Sequence, residues 1–388
     1  MSTADPGVLP STDVLHHIVD VHCHPTDAAG GVSTESMRRL AISICAMATM
    51  QADQPKVKEL AASYPEKVIP CFGYHPWFSH FISTAASEID PSFKERHYRN
   101  LFLPSSAPTN SNHSSSAEGQ PNRGDSENEL EAQFRALLAV LPDPRPLSSV
   151  LAELRENLTF FPNAMLGEVG VDRAFHVPID YFAHPRVLTE FSIPLEHQVT
   201  VLEAQMELAV ELGRNVSVHS VKSQQVTVDL LTRMKAKHGE RWNRISVDMH
   251  SCGLSPQTWR DVEKKHENVF LSLSTVINHN HGSLRALIAA CSGDRILAES
   301  DYNDINMCTP QTWDMIKIIA EVKGWPVETE WLENEDVEVD EEKWGVVRRL
   351  EKNWLLFKNG HHAGRQKKKR NKRRDYDSEG SDVQQMGN

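Results

Sequence analysis

The sequence predicts a (β/α)8 TIM barrel, the closed α/β architecture in which eight parallel strands alternate with helices. Three observations point to it. Eight short apolar, β-branched runs recur along the chain, helical patterns fall between them, and polar side chains able to bind metals collect at the C-terminal ends of several runs. A length of 388 residues suits one large barrel. With 39% hydrophobic and 24% charged residues, the chain can bury a sizeable core, which excludes collagen, a disulfide miniprotein and a wholly disordered polymer.

In chain order the strand-like runs are 17–23, 39–48, 67–74, 164–171, 216–220, 245–250, 269–276 and 295–300. The clearest helix is 196–212, where Val199, Leu202, Met206, Ala209 and Val210 recur at three- and four-residue steps and Gly213 follows as a stop. Residues 129–141 place Leu130, Phe134, Leu137, Leu138 and Leu141 on one face. Further helices are expected near 53–63, 222–237, 255–266, 283–291, 310–322 and 344–357.

The barrel is expected to span 17–360, between an N-terminal extension at 1–16 and a basic, disordered tail at 361–388. Residues 104–128 contain seven serines and no Val, Ile, Leu, Met or aromatic side chain, and read as a disordered insertion within the barrel. The acidic stretch 328–342 carries nine Asp/Glu and reads as a solvated surface segment.

No apolar run approaches the roughly 18–20 residues that span a bilayer, so no membrane association is expected. The first 16 residues lack a basic start and an apolar core, so no signal peptide is expected. Six cysteines without a C-x-x-C pair suit a reduced, intracellular protein of the cytoplasm, the nucleus or both. The formal charge of −12 conceals eight Lys/Arg within 365–374, so the rest of the chain is more acidic by eight charges. Such a body is no general nucleic-acid adsorber, and any nucleic-acid contact must be local. The run Arg365–Arg374 is expected to bind nuclear import factors, to touch nucleic acid, or to be a solvated charge run. No long heptad appears, and a monomer is the default.

The first strand ends in Asp20-Val21-His22-Cys23-His24, where alternation places Asp20, His22 and His24 on one face. Two imidazoles about 7 Å apart along a strand can converge on one ion. The third run ends in His75, the fourth carries Glu168 and ends in Asp172, the fifth ends in His219, the sixth in His250, and the eighth in Glu299-Ser300-Asp301. Alone, each is an ordinary strand-end polar residue. Together, at one end of a barrel, His22, His24, Glu168, His219, His250 and Asp301 form a metal-ligand set. Four imidazoles and two carboxylates suit two divalent ions such as Mg²⁺, Mn²⁺ or Zn²⁺, and the reaction class is hydrolysis. Glu299 is expected to support a ligand from behind, and so is Asp20. His279 and His281 are expected to be surface loop residues, and Cys23 and Cys252 to be packing neighbours.

The motifs D-V-H-C-H (20–24), G-Y-H-P (73–76), G-E-V-G-V-D-R (167–173), V-H-S (218–220), D-M-H-S-C-G (248–253) and L-A-E-S-D-Y-N (297–303) resemble, in this order, those of the TatD-type metal-dependent deoxyribonucleases of the amidohydrolase superfamily. The resemblance covers residues 17–358 apart from the insertion. It implies one metal among His22, His24, Glu168 and Asp301 and a second among Glu168, His219 and His250. Glu168 would bridge them, a metal-bound water would attack phosphorus, and Asp301 would help to deprotonate that water. His75 corresponds to the family's substrate-side histidine. Where the family reads H-C-R, this chain has His219-Ser220-Val221, which leaves Lys222 as the candidate phosphate contact. The expected function is hydrolysis of DNA phosphodiester bonds from a strand end. The alternatives are a small-molecule amidohydrolase and a catalytically weak binding protein.

Overall fold

A computed structural model of the chain describes residues 9–28, 30–85, 90–103, 123–331 and 340–362. Eight strands form one sheet in chain order: β1 (Val19–Cys23), β2 (Ser43–Met47), β3 (Val68–Phe72), β4 (Met165–Asp172), β5 (Val216–Val221), β6 (Val247–Met249), β7 (Val269–Leu273) and β8 (Ile296–Ala298). Every neighbouring pair is parallel. The seam between β8 and β1 is joined just beyond the strands. There Asp301 N–H donates to the His22 carbonyl at 2.9 Å, and His24 N–H donates to the Tyr302 carbonyl at 2.8 Å.

The side chains alternate between two layers. Cys45, Met47, Cys71, Met165, Phe270 and Leu297 form an inner cluster, while Ile44, Ala46, Phe72, Leu166, Val218 and Leu271 pack outward against the helices. Trp354 and Phe357 of helix Val346–Asn359 join the inner cluster. Asn215 Nδ2 and Ser246 Oγ, just before β5 and β6, donate to the Phe357 carbonyl at 2.9 and 2.6 Å, so this helix closes the N-terminal end of the barrel. The opposite end stays open for chemistry.

Periodicity located the strands and most helices well. The helix expected at 196–212 runs Leu195–Leu212 and ends at Gly213, whose φ of +66° suits a residue without a Cβ. The last two-thirds of the chain deviates little, but the segment between β3 and β4 is more elaborate than the periodicity implied. It contains helices Phe93–Phe102, Arg123–Val140 and Leu147–Phe160, and a two-residue parallel pair, Ile82–Ser83 with Arg145–Pro146. Helix Arg123–Val140 begins inside the stretch read as a disordered insertion: residues 123–128 are helical, and 104–122 lie outside the described residues. Tyr98, Phe102, Phe134, Leu137, Val177 and Phe191 form a second, smaller core beside the barrel.

Both ends of the packed body exceed the expected barrel limits. Val14 and Leu15 of the short helix Thr12–Leu15 are buried, and His362 is buried with Nε2 2.7 Å from Ser246 Oγ. The basic run Arg365–Arg374 and residues 332–339 of the acidic stretch lie outside the described residues. Among the described residues, no helix is long and apolar enough to cross a membrane.

Candidate active site and metal centre

Glu168 stands at the centre of the open end. Its Oε2 lies 3.5 Å from His22 Nε2 and 3.3 Å from His24 Nε2. Its Oε1 lies 2.8 Å from His219 Nδ1, 3.1 Å from His250 Nε2 and 3.3 Å from His75 Nε2. Asp301 Oδ1 closes the first group, 3.4 Å from His24 Nε2 and 3.9 Å from His22 Nε2. The six proposed ligands and His75, drawn from six strand ends, therefore meet around one carboxylate.

Local backbone irregularities bring them together. The β1–β2 register shifts between Asp20 and Cys23, and the β4–β5 register shifts between Leu166 and Val169, so the pairing is irregular beside His22 and Glu168. As a result Val21 joins the inner cluster while Cys23 joins the outer one, although two-residue spacing put both on one face. Gly170 permits the tight β4–β5 approach: a Cβ there would lie 2.1 Å from the His219 carbonyl oxygen.

The outer nitrogens of three central imidazoles, those of His22, His250 and His219, have fixed partners. His22 Nδ1 is 2.8 Å from Ser217 Oγ, His250 Nδ1 is 3.3 Å from Glu299 Oε1, and His219 Nε2 is 3.3 Å from Asp172 Oδ2. Each arrangement leaves the inner nitrogen facing Glu168, the orientation that a metal-binding imidazole needs. Glu299 is itself held by Ser251, whose N–H and hydroxyl donate to Oε1 at 2.8 and 2.6 Å. Ser272 Oγ contacts both Glu299 and Asp248. A hydroxyl has one hydrogen, so it donates to one carboxylate and accepts from the other in protonated form. Burial, reinforced by the Glu299 charge, pushes the Asp248 carboxyl well up, which makes Asp248 the proton holder. Asp20 has a different task from the one expected. It accepts from the Ser300 N–H at 2.8 Å, the Ser300 hydroxyl at 2.5 Å and the His22 N–H at 3.3 Å, and so clamps the barrel seam, not an imidazole ring.

The electrostatics suit cations. Burial pushes the Glu168 carboxyl up, but His75, His250, His22 and the hydrogen bond from His219 outweigh it and hold it well below the carboxylate range. Burial lowers His75 to about 4 and also lowers His22, so both are neutral near pH 7 with a lone pair to give. His22 Nε2 and His24 Nε2 face one another at 3.2 Å beside two carboxylates. Burial lowers His24, but Asp301 and Glu168 outweigh it and raise His24 well above its ordinary value, so the carboxylates draw positive charge, a proton or a metal cation, to this point. Groups of ligand atoms within 4.8 Å include His22, His24 and Asp301, and His75, Glu168 and His219. The donor set therefore fits divalent metal ions.

The centre opens into a cavity of about 570 Å³. Lys222 is exposed with φ +50° and does not line it, whereas Val221 does. His279 and His281 are exposed, as expected of loop residues. Asp172 was legible but overlooked: it lies four residues after Glu168 on β4, hence on the same face. Its carboxylate accepts from Trp77 Nε1 at 2.7 Å as well as facing His219. Phe175, Tyr181 and Arg186 also line the cavity. They sit on a loop whose course no periodicity describes.

The comparisons with known proteins agree with this architecture. A family model described as TatD related DNase matches residues 19–332. The Cut9-interacting protein scn1 of Schizosaccharomyces pombe is 28% identical over 81% of this chain and 95% of its own length. An uncharacterized deoxyribonuclease of Saccharomyces cerevisiae, YMR262W, is 26% identical over 74% of this chain and 84% of its own. Among solved structures, the TatD homolog YjjV of Escherichia coli K12 shares the fold with a TM-score of 0.52 and 16% identity, covering 88% of this chain and 98% of its own. A TatD family hydrolase of Entamoeba histolytica shares it with a TM-score of 0.51 and 12% identity, covering 88% and 97%.

Proposed function

Because this chain belongs to the TatD related DNase family and is a metal-dependent hydrolase acting on ester bonds, we propose that it cleaves DNA phosphodiester bonds from a strand end, with two divalent ions held across Glu168. The observation that carries this reading is the division of one carboxylate. Oε2 faces His22 and His24, and Oε1 faces His219 and His250. In this reading one ion is held by His22, His24, Asp301 and Glu168, and the other by His219, His250 and Glu168, with Mg²⁺, Mn²⁺ or Zn²⁺ suited to such donors. Bound there, divalent ions would polarise a phosphoryl oxygen and make water a stronger nucleophile.

The chain's own groups have separate roles. Asp301 is the carboxylate placed to take a proton from the attacking water. His75, neutral at pH 7 and facing the cavity, is the group for a hydrogen bond to a substrate oxygen. Glu299 and Asp172 keep His250 and His219 turned inward. The aromatic walls limit water at the reacting centre. The basic run Arg365–Arg374 is assigned to nuclear import factors or long DNA, which would place a monomeric enzyme in the cytoplasm, the nucleus or both. No observation favours the small-molecule or inactive readings.

The test is Glu168→Gln, which keeps the shape of the side chain but removes its charge. Elemental analysis is expected to show lost metal, and hydrolysis of linear single-stranded DNA should fall by orders of magnitude. Two ions per chain with near-normal hydrolysis would refute the bridging role. Circular single-stranded DNA should resist the wild-type enzyme, and its rapid nicking would refute attack from an end.

A further inference from the structure

The end of the barrel opposite Glu168 carries a smaller pocket, of about 260 Å³. It lies where helix Val346–Asn359 meets the turns that precede β4 and β5. Its described lining includes Arg214 and Lys358 and no Asp or Glu. The chain holds 53 acidic against 41 basic residues, and eight of the basic ones lie in the run 365–374. A pocket with two cations and no carboxylate therefore runs against the charge of the body around it.

Both cations stand on fixed backbone. Gly213, with φ +66°, ends helix Leu195–Leu212, and the Arg214 N–H that follows donates to the Ala209 carbonyl at 2.9 Å. Arg214 Nη1 donates to the Pro162 carbonyl, which sets the direction of the guanidinium. Asn215 Nδ2 donates to the Phe357 and Lys358 carbonyls at 2.9 and 3.0 Å, so the same turn ties down the backbone of Lys358. Among the described residues, neither cation has a carboxylate partner. Arg214 Nε is shielded from water without a hydrogen-bond acceptor, and Nη2 has no acceptor in the described protein either. Burial lowers the pKa of Arg214, and no opposing charge offsets it. A cation withdrawn from water without a partner costs free energy, and a bound anion offsets that cost.

The anion's class follows from the donors. A guanidinium fork and an ammonium are the two side-chain cations that proteins use for phosphate. Two positive charges match a phosphate monoester, which carries about −1.5 to −2 near pH 7, better than a singly charged diester. The pocket is smaller than the roughly 300–1,000 Å³ of sites for drug-sized ligands, so the bearer of the phosphate is small. Ile69, Met165 and Trp354 supply an apolar side to the same pocket.

We infer that this pocket is an anion site for a phosphate monoester group, held by Arg214 and Lys358 at the end of the barrel away from the proposed metal ligands. A phosphate bound there links the turn at 213–215 to the helix that closes the barrel. Its source is free phosphate or a mononucleotide. The inference does not depend on DNA hydrolysis, because none of its residues belongs to the cavity above Glu168.

The experiment is calorimetric titration of the full-length protein at pH 7 with inorganic phosphate, deoxyadenosine monophosphate, deoxyadenosine and dimethyl phosphate. EDTA is present throughout, so that no divalent ion holds phosphate at the Glu168 end. Phosphate and the mononucleotide are expected to bind one site per chain. Tighter binding of the nucleotide assigns the apolar side to a base, and equal affinity assigns the site to free phosphate. Arg214→Gln should weaken either ligand about tenfold or more, the size of a charge-assisted hydrogen bond. Lys358→Glu, at an exposed position, sets a like charge beside the phosphate and should weaken it by about tenfold or more. That second variant decides alone where Arg214→Gln fails to fold. Truncation after His362 should leave the affinity unchanged. Wild-type affinity in folded variants overturns the inference, as does phosphate binding that disappears on truncation. Dimethyl phosphate bound as tightly as phosphate, or deoxyadenosine as tightly as its monophosphate, overturns it as well. A wild type that cleaves DNA but binds no phosphate in EDTA loses this inference alone. One that binds phosphate as described and cleaves no DNA loses only the cleavage reading.

Discussion

Histidine serves opposite purposes at different points of this chain. At the centre, His22, His219 and His250 are turned by Ser217, Asp172 and Glu299 so that their inner nitrogens face Glu168. Behind the centre, His80 is buried against Phe81, Tyr98 and Phe102, and its Nδ1 has no hydrogen-bond partner. Burial, reinforced by the charges of His197 and His97, lowers His80 to about 3. An unfolded chain binds that proton near pH 6.5, well before the native state does. Stability therefore falls as pH drops below about 6.5, and the loss grows until about pH 3. At pH 4.5 this single group accounts for about 2–3 kcal/mol. In urea unfolding at pH 7 and pH 4.5, His80→Phe is expected to lose about 2 kcal/mol less than the wild type over the same interval. Equal losses would show that His80 is not held neutral by burial.

Among the elements, the segment between β3 and β4 departs most from a plain barrel. Helices Phe93–Phe102 and Arg123–Val140 pack Tyr98, Phe102, Phe134 and Leu137 against Val177, Phe191 and Ile193. Those last three belong to the loop 173–194 that also carries Phe175, Tyr181 and Arg186, so the small core is the support of the cavity wall. Phe134 is fully buried, with the Arg99 guanidinium carbon 4.8 Å from its ring centre. Phe134→Ala should cost about 3–5 kcal/mol of stability, through lost transfer energy and a residual cavity. It should also raise KM for DNA while bound metal is unchanged, since the proposed ligands sit on or next to the barrel strands. Metal lost in proportion to activity would mean that the small core supports the centre itself.

For the molecule as a whole, charge separates catalysis from delivery. The formal charge of −12 includes eight Lys/Arg within 365–374, beyond the last described residue, His362. All the proposed ligands lie at or before Asp301. Truncation after His362 is expected to preserve melting temperature and turnover of a small phosphodiester. It should weaken binding to long DNA at low salt, and the difference should shrink as salt rises, because each Lys or Arg on a phosphate displaces condensed counterions. Normal melting with collapsed turnover of the small substrate would place the tail in the active site.

How much could be read without coordinates follows from the range of the forces involved. The eight strands and the helix ending at Gly213 were legible because burial imposes a short period on neighbouring residues, and the six proposed ligands because each lies within or just beyond a strand of such an architecture. Asp172 carried the same signal, at Glu168 plus four. The register shifts at Asp20–Cys23 and Leu166–Val169 had no such signal, since they arise from how two strands fit each other. Nor was the seam role of Asp20 visible, because its partner Ser300 lies 280 residues away. The placing of Arg186 on Tyr181, and the small core behind them, depend on loop packing without a period. Thus the sequence by itself determined the barrel and the chemical identity of its centre, through local patterns repeated strand by strand. Which nitrogen faces inward, what walls the cavity and where a lone guanidinium comes to rest were decided only by the tertiary structure, because these depend on contacts between residues that no local pattern connects.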